Sequence, residues 1–538
     1  MTRRISGEVT VNVRERTLFF PLTLLTSVLL MICATAVGED AGTPGGRPNI
    51  IVIMSDDHAQ KAISSYSREL IHTPNIDRIA EEGIRFANSF VTNSICAPSR
   101  ATLLTGTYSH INGVYDNGDR FDSSLTTFPQ LLRQAGYQTA MIGKWHLKSV
   151  PSGFDHWAVL VDQGEYFNPR FIVPGDTIRR TGYTTTLITD LAIETLTQRD
   201  TARPICLLYF HKAPHRNWMP DTGYLDVFSG KTFPVPETFH DDYHTRSAAA
   251  REQDMRIEDM YDSYDLKIDP SVSPGGNSGG NARFNADRQW GIELEGLTPD
   301  QRTAVLSHYS KENASFQRDF PSDSARAEWK YQRYIKDYLR CVASLDDNIG
   351  RLLRYLDDSG LARNTVVFYT SDQGFYLGEH GWYDKRFMYE ESMRTPLMIR
   401  FPREIGKGVV NDAMVLNLDL APTILDLCGV SVPPTMQGRS LRELFHGMQP
   451  DDWRRSVYYH YSEYPAWHMV KRHYGIRTER YKLIHFYNDI DAWELYDLTR
   501  DPHELLNVHN SADYEDVQRD LMLQLDDLQE KFGDTVQE

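Results

Sequence analysis

Short apolar runs alternate with amphipathic segments along most of the chain. The run at 49–54 is continuous and rich in β-branched residues, which predicts a central strand of a sheet that is covered on both faces. Further strands are predicted from similar runs at 139–142, 205–210, 365–370 and 397–401. Because helical patterns separate these runs, the fold class is predicted to be α/β with a wound sheet.

The helical segments carry recognisable start and stop signals. Thr73 and Pro74 are predicted to be the N-cap and first residue of a helix that ends before Gly83, and Gly136 is predicted to end a second helix. A longer amphipathic helix is predicted over 335–356, with Gly360 as its C-terminal stop.

Two parts of the chain depart from this pattern. Residues 221–320 are acidic and rich in Tyr, Gly and Asn, and they include the stretch 274–280; we expect short helices there, forming an insertion or rim over the site. Beyond about residue 450 the sequence is aromatic and strand-like. We therefore expect a main domain over 39–450 and a smaller antiparallel α+β domain over 451–538.

The N-terminal segment has the layout of a secretion signal. Several Arg residues precede the apolar run 18–37, which ends in small residues before Glu39, so residues 1–38 are predicted to be a signal peptide. A membrane anchor is the alternative, since the run is nearly long enough to span a bilayer. The first interpretation predicts a periplasmic or secreted protein with no membrane attachment after the signal is removed.

Charge and cysteine content narrow the class of protein further. The 538 residues include 57 Lys and Arg against 74 Asp and Glu, a net charge of −17, which disfavours binding to nucleic acid. An anionic substrate would need a local basic pocket. Apart from Cys33 in the signal, the cysteines are far apart and lack metal-binding spacing, which excludes a disulfide scaffold: Cys96, Cys206, Cys341 and Cys428.

Carboxylates follow two of the predicted strands. Asp56 and Asp57 come after the first strand, and Asp372 and Gln373 come after the strand at 365–370. Ligands of open α/β sheets bind outside the carboxyl ends of strands, so these side chains are predicted to form an oxygen-rich cage for a hard divalent cation, Ca²⁺ before Mg²⁺. Ordinary turn chemistry is the alternative for either motif alone.

The sequence from Cys96 to Gly106, Cys-Ala-Pro-Ser-Arg-Ala-Thr-Leu-Leu-Thr-Gly, resembles the signature of the sulfatase family. Further matches occur at 136–147 and 494–504, and the block 372–400 is most similar to bacterial N-acetylglucosamine-6-sulfatases. The resemblance implies the fold of alkaline phosphatase, a large α/β domain with a smaller domain that contains an antiparallel sheet.

The resemblance also implies a chemistry for the site. Cys96 would be oxidised to Cα-formylglycine by a formylglycine-generating or an anaerobic sulfatase-maturating enzyme, and the hydrated aldehyde would be the nucleophile. The implied ligands of Ca²⁺ are Asp56, Asp57, Cys96, Asp372 and Gln373. Family members often carry Asn where this chain has Gln373.

The remaining catalytic positions are carried over residue by residue. Arg100 would contact the hydrate and the ligand carboxylates, and Lys144 and Lys385 would bind the sulfate. His146 would be a base in the second step, and His215 would be the acid at the leaving oxygen, with His211 as the competing candidate.

The expected activity is hydrolysis of a sulfate monoester, with a 6-O-sulfated N-acetylhexosamine in a glycan as the expected substrate. Asp384 and His473 are predicted to contact the sugar, although His473 could instead belong to the core of the small sheet. One alternative is a phosphonate or phosphate monoester hydrolase of the same superfamily. Another is a secreted glycan-binding protein without turnover.

Overall fold

The strand predicted at 49–54 lies in the middle of a ten-stranded sheet within the part of the chain that this computed structural model describes, residues 46–273, 284–316 and 320–536. Its strands are β1 (Asn49–Ser55), β2 (Ile84–Phe86), β4 (Gln138–Gly143), β5 (His156–Leu160), β6 (Arg170–Val173), β7 (Asp176–Arg179), β8 (Ile205–Phe210), β9 (Thr365–Ser371), β12 (Leu397–Arg400) and β13 (Val409–Asn411). The strand order is β13-β2-β12-β9-β1-β8-β4-β5-β6-β7.

The centre of this sheet is parallel. Strand β1 pairs in parallel with β9 on one side and with β8 on the other, and β8 pairs in parallel with β4. The carboxyl ends of β9, β1, β8 and β4 therefore lie side by side at one edge, where ligands of open α/β sheets bind. Strand β12 runs antiparallel to both of its neighbours, so the sheet is mixed toward its margins.

Helices cover both faces of the sheet. Their bounds are α1 (Pro74–Glu81), α2 (Cys96–Thr105), α3 (Ser109–Asn112), α4 (Phe128–Gln134), α5 (Thr184–Gln198), α6 (Ala248–Glu252), α7 (Ala286–Glu295), α8 (Pro299–Asn313), α9 (Asp323–Asp358), α10 (Glu390–Met393), α11 (Leu420–Leu427) and α12 (Glu515–Phe532). Thr73 occupies the N-cap position of α1, as predicted, although its hydroxyl donates to Asp77 and makes no capping hydrogen bond, and Pro74 is the first residue of the helix. The predicted amphipathic helix is confirmed as the 36-residue α9.

The alternation of side chains along β1 explains the two-faced core. Ile50 and Val52 pack with residues of α2, α4 and α11, whereas Ile51 and Ile53 pack with residues of α1, α5 and α9. All four side chains are fully buried. A continuous apolar run is what a strand needs when both of its faces are covered.

A smaller antiparallel sheet follows near the C-terminus, as expected. Its order is β15 (Ser456–Tyr461), β16 (His473–Thr478), β17 (Tyr481–Phe486) and β18 (Ala492–Asp497), and α12 packs against it. Short strands complete the described elements: β3 (Ser89–Phe90), β10 (Tyr376–Leu377), β11 (Tyr383–Asp384) and β14 (Val415–Leu416). The described residues from Arg47 onward make up one compact unit, and the domain boundary near residue 450 stays a prediction.

The insertion expected at 221–320 contains the short helices α6 and α7 and the longer α8, while its Gly-rich stretch 274–280 lies outside the described residues, as does the predicted signal 1–38. Each helix in the described segments is too short or too polar to span a lipid bilayer. The four cysteines within those segments are buried and form no disulfide: Cys96, Cys206, Cys341 and Cys428.

Candidate active site

The two predicted carboxylate motifs meet at the carboxyl edge of the sheet. Ser55 and Ser371 are register partners at the ends of β1 and β9, so the residues that follow them are neighbours. The backbone N–H of Asp57 donates a hydrogen bond of 3.1 Å to Oδ1 of Asp372. Parallel pairing has therefore joined two motifs that lie more than three hundred residues apart in the sequence.

The donor atoms of this cage fit a hard cation. Asp56, Asp57, Asp372 and Gln373 are all fully buried, and Oε1 of Gln373 is a buried oxygen with no hydrogen-bond partner in the described structure. The amide nitrogen of Gln373 donates to Asp57, which leaves that oxygen as the free acceptor. Buried polar atoms are normally satisfied, so an unpartnered oxygen beside three carboxylates suits Ca²⁺.

Burial and neighbouring charges shift the pKa values of the three carboxyl groups. Burial raises the pKa of Asp57 to about 7 against the charge of Lys385, and burial with the neighbouring charge of Asp56 raises the pKa of Asp372 to about 6. Burial would also raise the pKa of Asp56, yet Lys144, followed by His215, holds it well below its usual range. A bound cation would favour the charged form of all three groups.

Cys96 begins helix α2 and reaches the same place. Its side chain is fully buried, and its Sγ lies 3.5 Å from Oδ1 of Asp56. Ligand atoms of Asp56, Asp57, Cys96 and His215 lie within 4.8 Å of one another, a spacing that could hold a metal ion. This group contains three of the predicted ligands together with His215, which was not predicted as a ligand, and it does not include the predicted Asp372.

Three cations surround the three carboxylates. Lys144 pairs with Asp56, and the ammonium group of Lys385 lies 2.6 and 2.8 Å from the carboxylate oxygens of Asp57. Arg100 pairs with Asp372 at 2.9 Å. The six formal charges cancel, so a divalent cation would give the site an excess of positive charge for an anionic substrate.

The three histidines considered from the sequence differ in their surroundings. Nε2 of His215 lies 3.8 Å from Oδ2 of Asp57, while its Nδ1 donates to the carbonyl oxygen of Arg216 at 2.7 Å, which fixes the tautomer. His146 is buried, and its pKa is held well below the usual range by burial and by Lys144. The competing His211 is fully buried against Tyr209, with neither ring nitrogen hydrogen-bonded in the described structure.

Of the two predicted sugar contacts, Asp384 borders the site and His473 does not. The pKa of Asp384 is lowered well below the usual range because Lys385, His468 and Arg386 outweigh its burial. His473 lies within β16 and is fully buried; its Nδ1 donates to the carbonyl oxygen of Lys471 at 2.8 Å, and its Nε2 accepts from the N–H of Met388 at 3.1 Å.

Both ring nitrogens of His473 are therefore satisfied by the backbone, and the ring packs between Phe387, Tyr459 and Phe486. The structure does not bring this side chain into the site, and the prediction that it contacts the sugar does not fit this position. Histidine within a strand is consistent with a core role when its two nitrogens find partners.

Sequence reasoning missed His468, five residues earlier in the same aromatic segment. Nε2 of His468 lies 3.4 Å from Oδ2 of Asp384, and its Nδ1 donates to the carbonyl oxygen of Asp254 at 2.9 Å. His468 adopts a φ of 67°, which turns its ring out of the regular path of the chain. A left-handed backbone at a histidine leaves no signal in the pattern of apolar residues, so nothing in the sequence favours His468 over His473.

A second residue beside Asp384 was also passed over. Arg386 lies 3.2 Å from Oδ1 of Asp384, pairs with Glu463 and is nearly buried. In the sequence, Arg386 belongs to a short charged run, and such runs are commonly solvated.

Comparison with known proteins identifies what this arrangement resembles. Residues 48–430 match the family model described as sulfatase, and residues 378–531 match the model of the C-terminal region of N-sulphoglucosamine sulphohydrolase. An N-acetylglucosamine-6-O-sulfatase of Bacteroides thetaiotaomicron is 48% identical over 524 residues, which cover 96% of this chain and 91% of that protein. The human N-acetylglucosamine-6-sulfatase is 27% identical over 466 residues, covering 81% of this chain and 71% of that protein.

Solved structures show the same similarity to sulfatases. A structure of a protein in complex with its substrate D-glucosamine-2-N,6-O-disulfate is 48% identical, with a TM-score of 0.87 over 91% of this chain and 99% of the other. A phosphonate monoester hydrolase of Agrobacterium radiobacter, with 21% identity and a TM-score of 0.65, covers 90% of this chain and 96% of its own and shares the fold.

Proposed function

This chain belongs to the sulfatase family, and we propose that it hydrolyses the 6-O-sulfate ester of glucosamine derivatives, such as N-acetylglucosamine, in sulfated glycans. The observation that carries the proposal is the position of Cys96, whose Sγ lies 3.5 Å from Asp56 where three carboxylates and three cationic side chains meet. The 48% identical relative with this named activity supports the choice of substrate.

The unmodified thiol of Cys96 is a poor nucleophile in this position. Burial raises its pKa well above the usual value, so the thiolate is scarcely populated at neutral pH. We propose that Cys96 is converted to Cα-formylglycine, which supplies a hydrated aldehyde as the nucleophile. The sequence around Cys96 supports this proposal, because it contains the complete signature from which a maturation enzyme would work.

The residues of the cage would hold Ca²⁺, which supplies Lewis-acid stabilisation of negative charge on the sulfate. The ligands proposed are Asp56, Asp57, Asp372 and Gln373, together with the side chain at position 96. Lys144 and Lys385 each pair with a carboxylate of the cage, and each is proposed to bind a sulfate oxygen of the substrate. Arg100 is held more firmly because it also donates to the carbonyl oxygen of Lys144 at 2.6 Å.

His215 is proposed to protonate the leaving oxygen. Its neutral ring carries the proton on Nδ1, so Nε2 faces the site with a free lone pair. Burial and the charge of Lys144 hold the pKa of His215 well below its usual range, so the acid form needs the negative charge of a bound sulfate beside it. His146, which is also held neutral, is proposed as the base of the second step.

Asp384 is proposed to accept hydrogen bonds from hydroxyls of the sugar. It directly precedes Lys385, so a sugar whose sulfate lies against Lys385 also lies near this carboxylate. His468 and Arg386 orient Asp384 from two sides. Asp384, His468 and Arg386 thus give the site a buried charge and oriented polar groups, which are the features by which proteins distinguish sugars.

The test is turnover by the mature protein. Mass analysis of the peptide that contains Cys96 should detect formylglycine, and the protein should release sulfate from 6-O-sulfated N-acetylglucosamine. Sugars sulfated at other positions, choline sulfate, and phosphate and phosphonate monoesters belong in the same screen. A preference for phosphate or phosphonate esters would refute the proposal and favour the alternative hydrolase. Binding of sulfated sugars without turnover of any ester would instead indicate a glycan-binding protein.

We also propose that the protein acts after export to the periplasm or the exterior, where sulfated glycans are encountered. The basis is the signal-like layout of residues 1–38. N-terminal sequencing of protein from the native host should begin near residue 39, and a cytoplasmic protein with its full N-terminus would contradict export.

A further inference from the structure

A cavity of about 450 Å³ lies beside His215. Its walls come from the segment between β5 and β6, from the segment that follows β8, and from helix α7, and they include Glu165, Tyr166, Lys212, His215 and Glu293. Because His215 lines this cavity and also faces Asp57, the cavity continues from the reaction centre on the side of the leaving group.

Lys212 is a buried lysine in the lining of this cavity. Its side chain is at least nine-tenths buried, with 5% exposure, and its ammonium group donates a long hydrogen bond of 3.3 Å to the carbonyl oxygen of Gln163. The same group lies 4.8 Å from the ring centre of Tyr166. In the described segments no carboxylate lies within 4.0 Å of it, so this buried cation has no anionic partner of its own.

Two of the other cations around the cavity are paired with carboxylates. Arg216 makes two hydrogen bonds of 2.7 Å to Asp265, and Arg170 lies 2.9 Å from Glu165. Arg179 donates to the carbonyl oxygen of Asn168 at 2.8 Å. Arg179 is exposed, so Lys212 is the buried cation of the lining that has no carboxylate partner in the described structure.

Besides Glu165, which pairs with Arg170, two acidic residues also line this space. Asp162 is largely exposed to solvent, and Glu293 lies on helix α7. Burial raises the pKa of Glu293, and the positive charge of Lys212 opposes this rise. Burial, together with the like charge of Lys144, lowers the pKa of Lys212 to about 8, which still leaves it mostly protonated at neutral pH. An anion in the cavity would thus meet the ammonium group of Lys212, with the carboxyl group of Glu293 also in the lining.

We propose that this cavity receives a second anionic group of the substrate, with the ammonium group of Lys212 as its ion-pair partner. The inference rests on the proposed function. In a glucosamine whose O6 lies at His215, the nitrogen at C2 is across the pyranose ring, and neighbouring sugars lie further along the glycan. The shared chemistry is an oxyanion, either an N-sulfo group at C2 or the carboxylate of an adjoining uronate.

Lys212→Met tests the ion pair, because it removes the charge and keeps most of the length of the side chain. Four substrates separate the sources: 6-O-sulfated N-acetylglucosamine, the 2-N,6-O-disulfate, and 6-sulfated disaccharides with a uronate or a neutral neighbour. We expect kcat/KM for the preferred doubly anionic substrate to fall roughly tenfold to a hundredfold relative to its singly anionic counterpart. Lys212→Arg should retain the preference.

Two matched variants sharpen the experiment. Glu293→Gln removes the acid on the opposite wall and should raise, or at least not lower, kcat/KM for the same doubly anionic substrate. Lys407→Met removes an exposed lysine elsewhere and should change none of the four values. The thermal midpoint of each variant should be compared with that of the parent, so that unfolding is recognised separately.

The outcomes are distinct. A loss confined to the disulfate assigns the cavity to an N-sulfo group, and a loss confined to the uronate disaccharide assigns it to a carboxylate. Equal changes on all four substrates, or no change, would overturn the inference while leaving the proposed function intact. If Lys212→Met unfolds, Lys212→Gln replaces it, because it also removes the charge, and an unchanged preference in that variant refutes the ion pair. A parent protein inactive on every 6-sulfated glucosamine would remove both proposals.

Discussion

Arg100 donates two hydrogen bonds, of 2.9 and 3.2 Å, to one oxygen of Asp372, a residue that lies 272 positions later in the chain. Arg100 belongs to helix α2, one turn after Cys96, and Asp372 follows strand β9. The pair is buried, so its charges are neither screened by solvent nor free to separate. It fixes the helix that carries Cys96 against the edge of the sheet that carries the carboxylates.

Replacing Cys96 should end turnover and preserve the fold. Cys96→Ala and Cys96→Ser cannot form the aldehyde, and we expect activity to fall at least about a thousandfold, as for removal of other nucleophiles. Sulfate release and circular dichroism check the two parts. Cys428→Ala, at a buried cysteine remote from the site, is the control. Near-normal turnover by Cys96→Ala would exclude the proposed nucleophile.

Removing divalent ions should inactivate the protein and lower its thermal midpoint. The carboxylates of the cage repel one another once the cation is gone, and a ligand that binds only the folded state stabilises it by mass action. Elemental analysis should detect one Ca²⁺ per chain, and added Ca²⁺ should restore both activity and midpoint after chelation. Stoichiometric zinc, or full activity without any divalent ion, would contradict the oxygen-ligand site.

Variants of His215 should discriminate between leaving groups. His215→Ala should reduce kcat/KM by about a hundredfold or more on a sugar sulfate and far less on an aryl sulfate, because only the basic alkoxide needs a proton. The comparison variant is His211→Ala, whose residue is buried against Tyr209 and should affect stability more than leaving-group dependence. Equal losses on both substrates for His215→Ala would remove it from the acid role.

His468→Ala should lower activity on the sugar more than on an aryl sulfate. The imidazole orients Asp384, so its loss lets that carboxylate rotate away from the sugar hydroxyls. We expect a decrease in kcat/KM of roughly tenfold on the 6-sulfated sugar. His503→Ala, at a half-exposed histidine, serves as the control. A uniform loss of activity on both substrates would indicate that His468 does not position Asp384 for contact with the sugar.

His473 should behave as a core residue instead. His473→Phe leaves the N–H of Met388 without its acceptor, which we expect to reduce the free energy of unfolding by about 1 to 3 kcal/mol. Activity on sugar and aryl sulfates should then fall in the same proportion, if at all. A selective loss on the sugar would restore His473 as a substrate contact.

The same variant should change how stability depends on pH. Burial lowers the pKa of His473 to about 3, below its ordinary value near 6.5 in the unfolded chain. The unfolded state therefore binds the proton first, and this stabilising contribution, present above pH 6.5, is lost as the pH falls toward 3. The difference in thermal midpoint between the parent and His473→Phe should shrink between pH 7 and 4. A constant difference would contradict the buried neutral ring.

The sequence by itself determined the central strands, the main helices and the identities of the reactive residues. An apolar run without alternation, as in β1, has one compatible environment, the interior of a sheet covered on both faces. The carboxylates after β1 and β9 had to converge once those strands were parallel, because parallel strands end at the same edge. Cys96 and Arg100 were identified because their motif is local.

The tertiary structure decided what local patterns do not encode. His468 and His473 belong to the same aromatic segment, and the sequence offers no reason for one to border Asp384 and the other to enter the core. That choice depends on a left-handed turn and on hydrogen bonds to the distant Asp254 and Met388. Lys212 likewise looks like any lysine in the sequence. Only burial beside residues from two remote segments makes it a cation without an anionic partner, because charge pairing depends on spatial neighbours and not on adjacency along the chain.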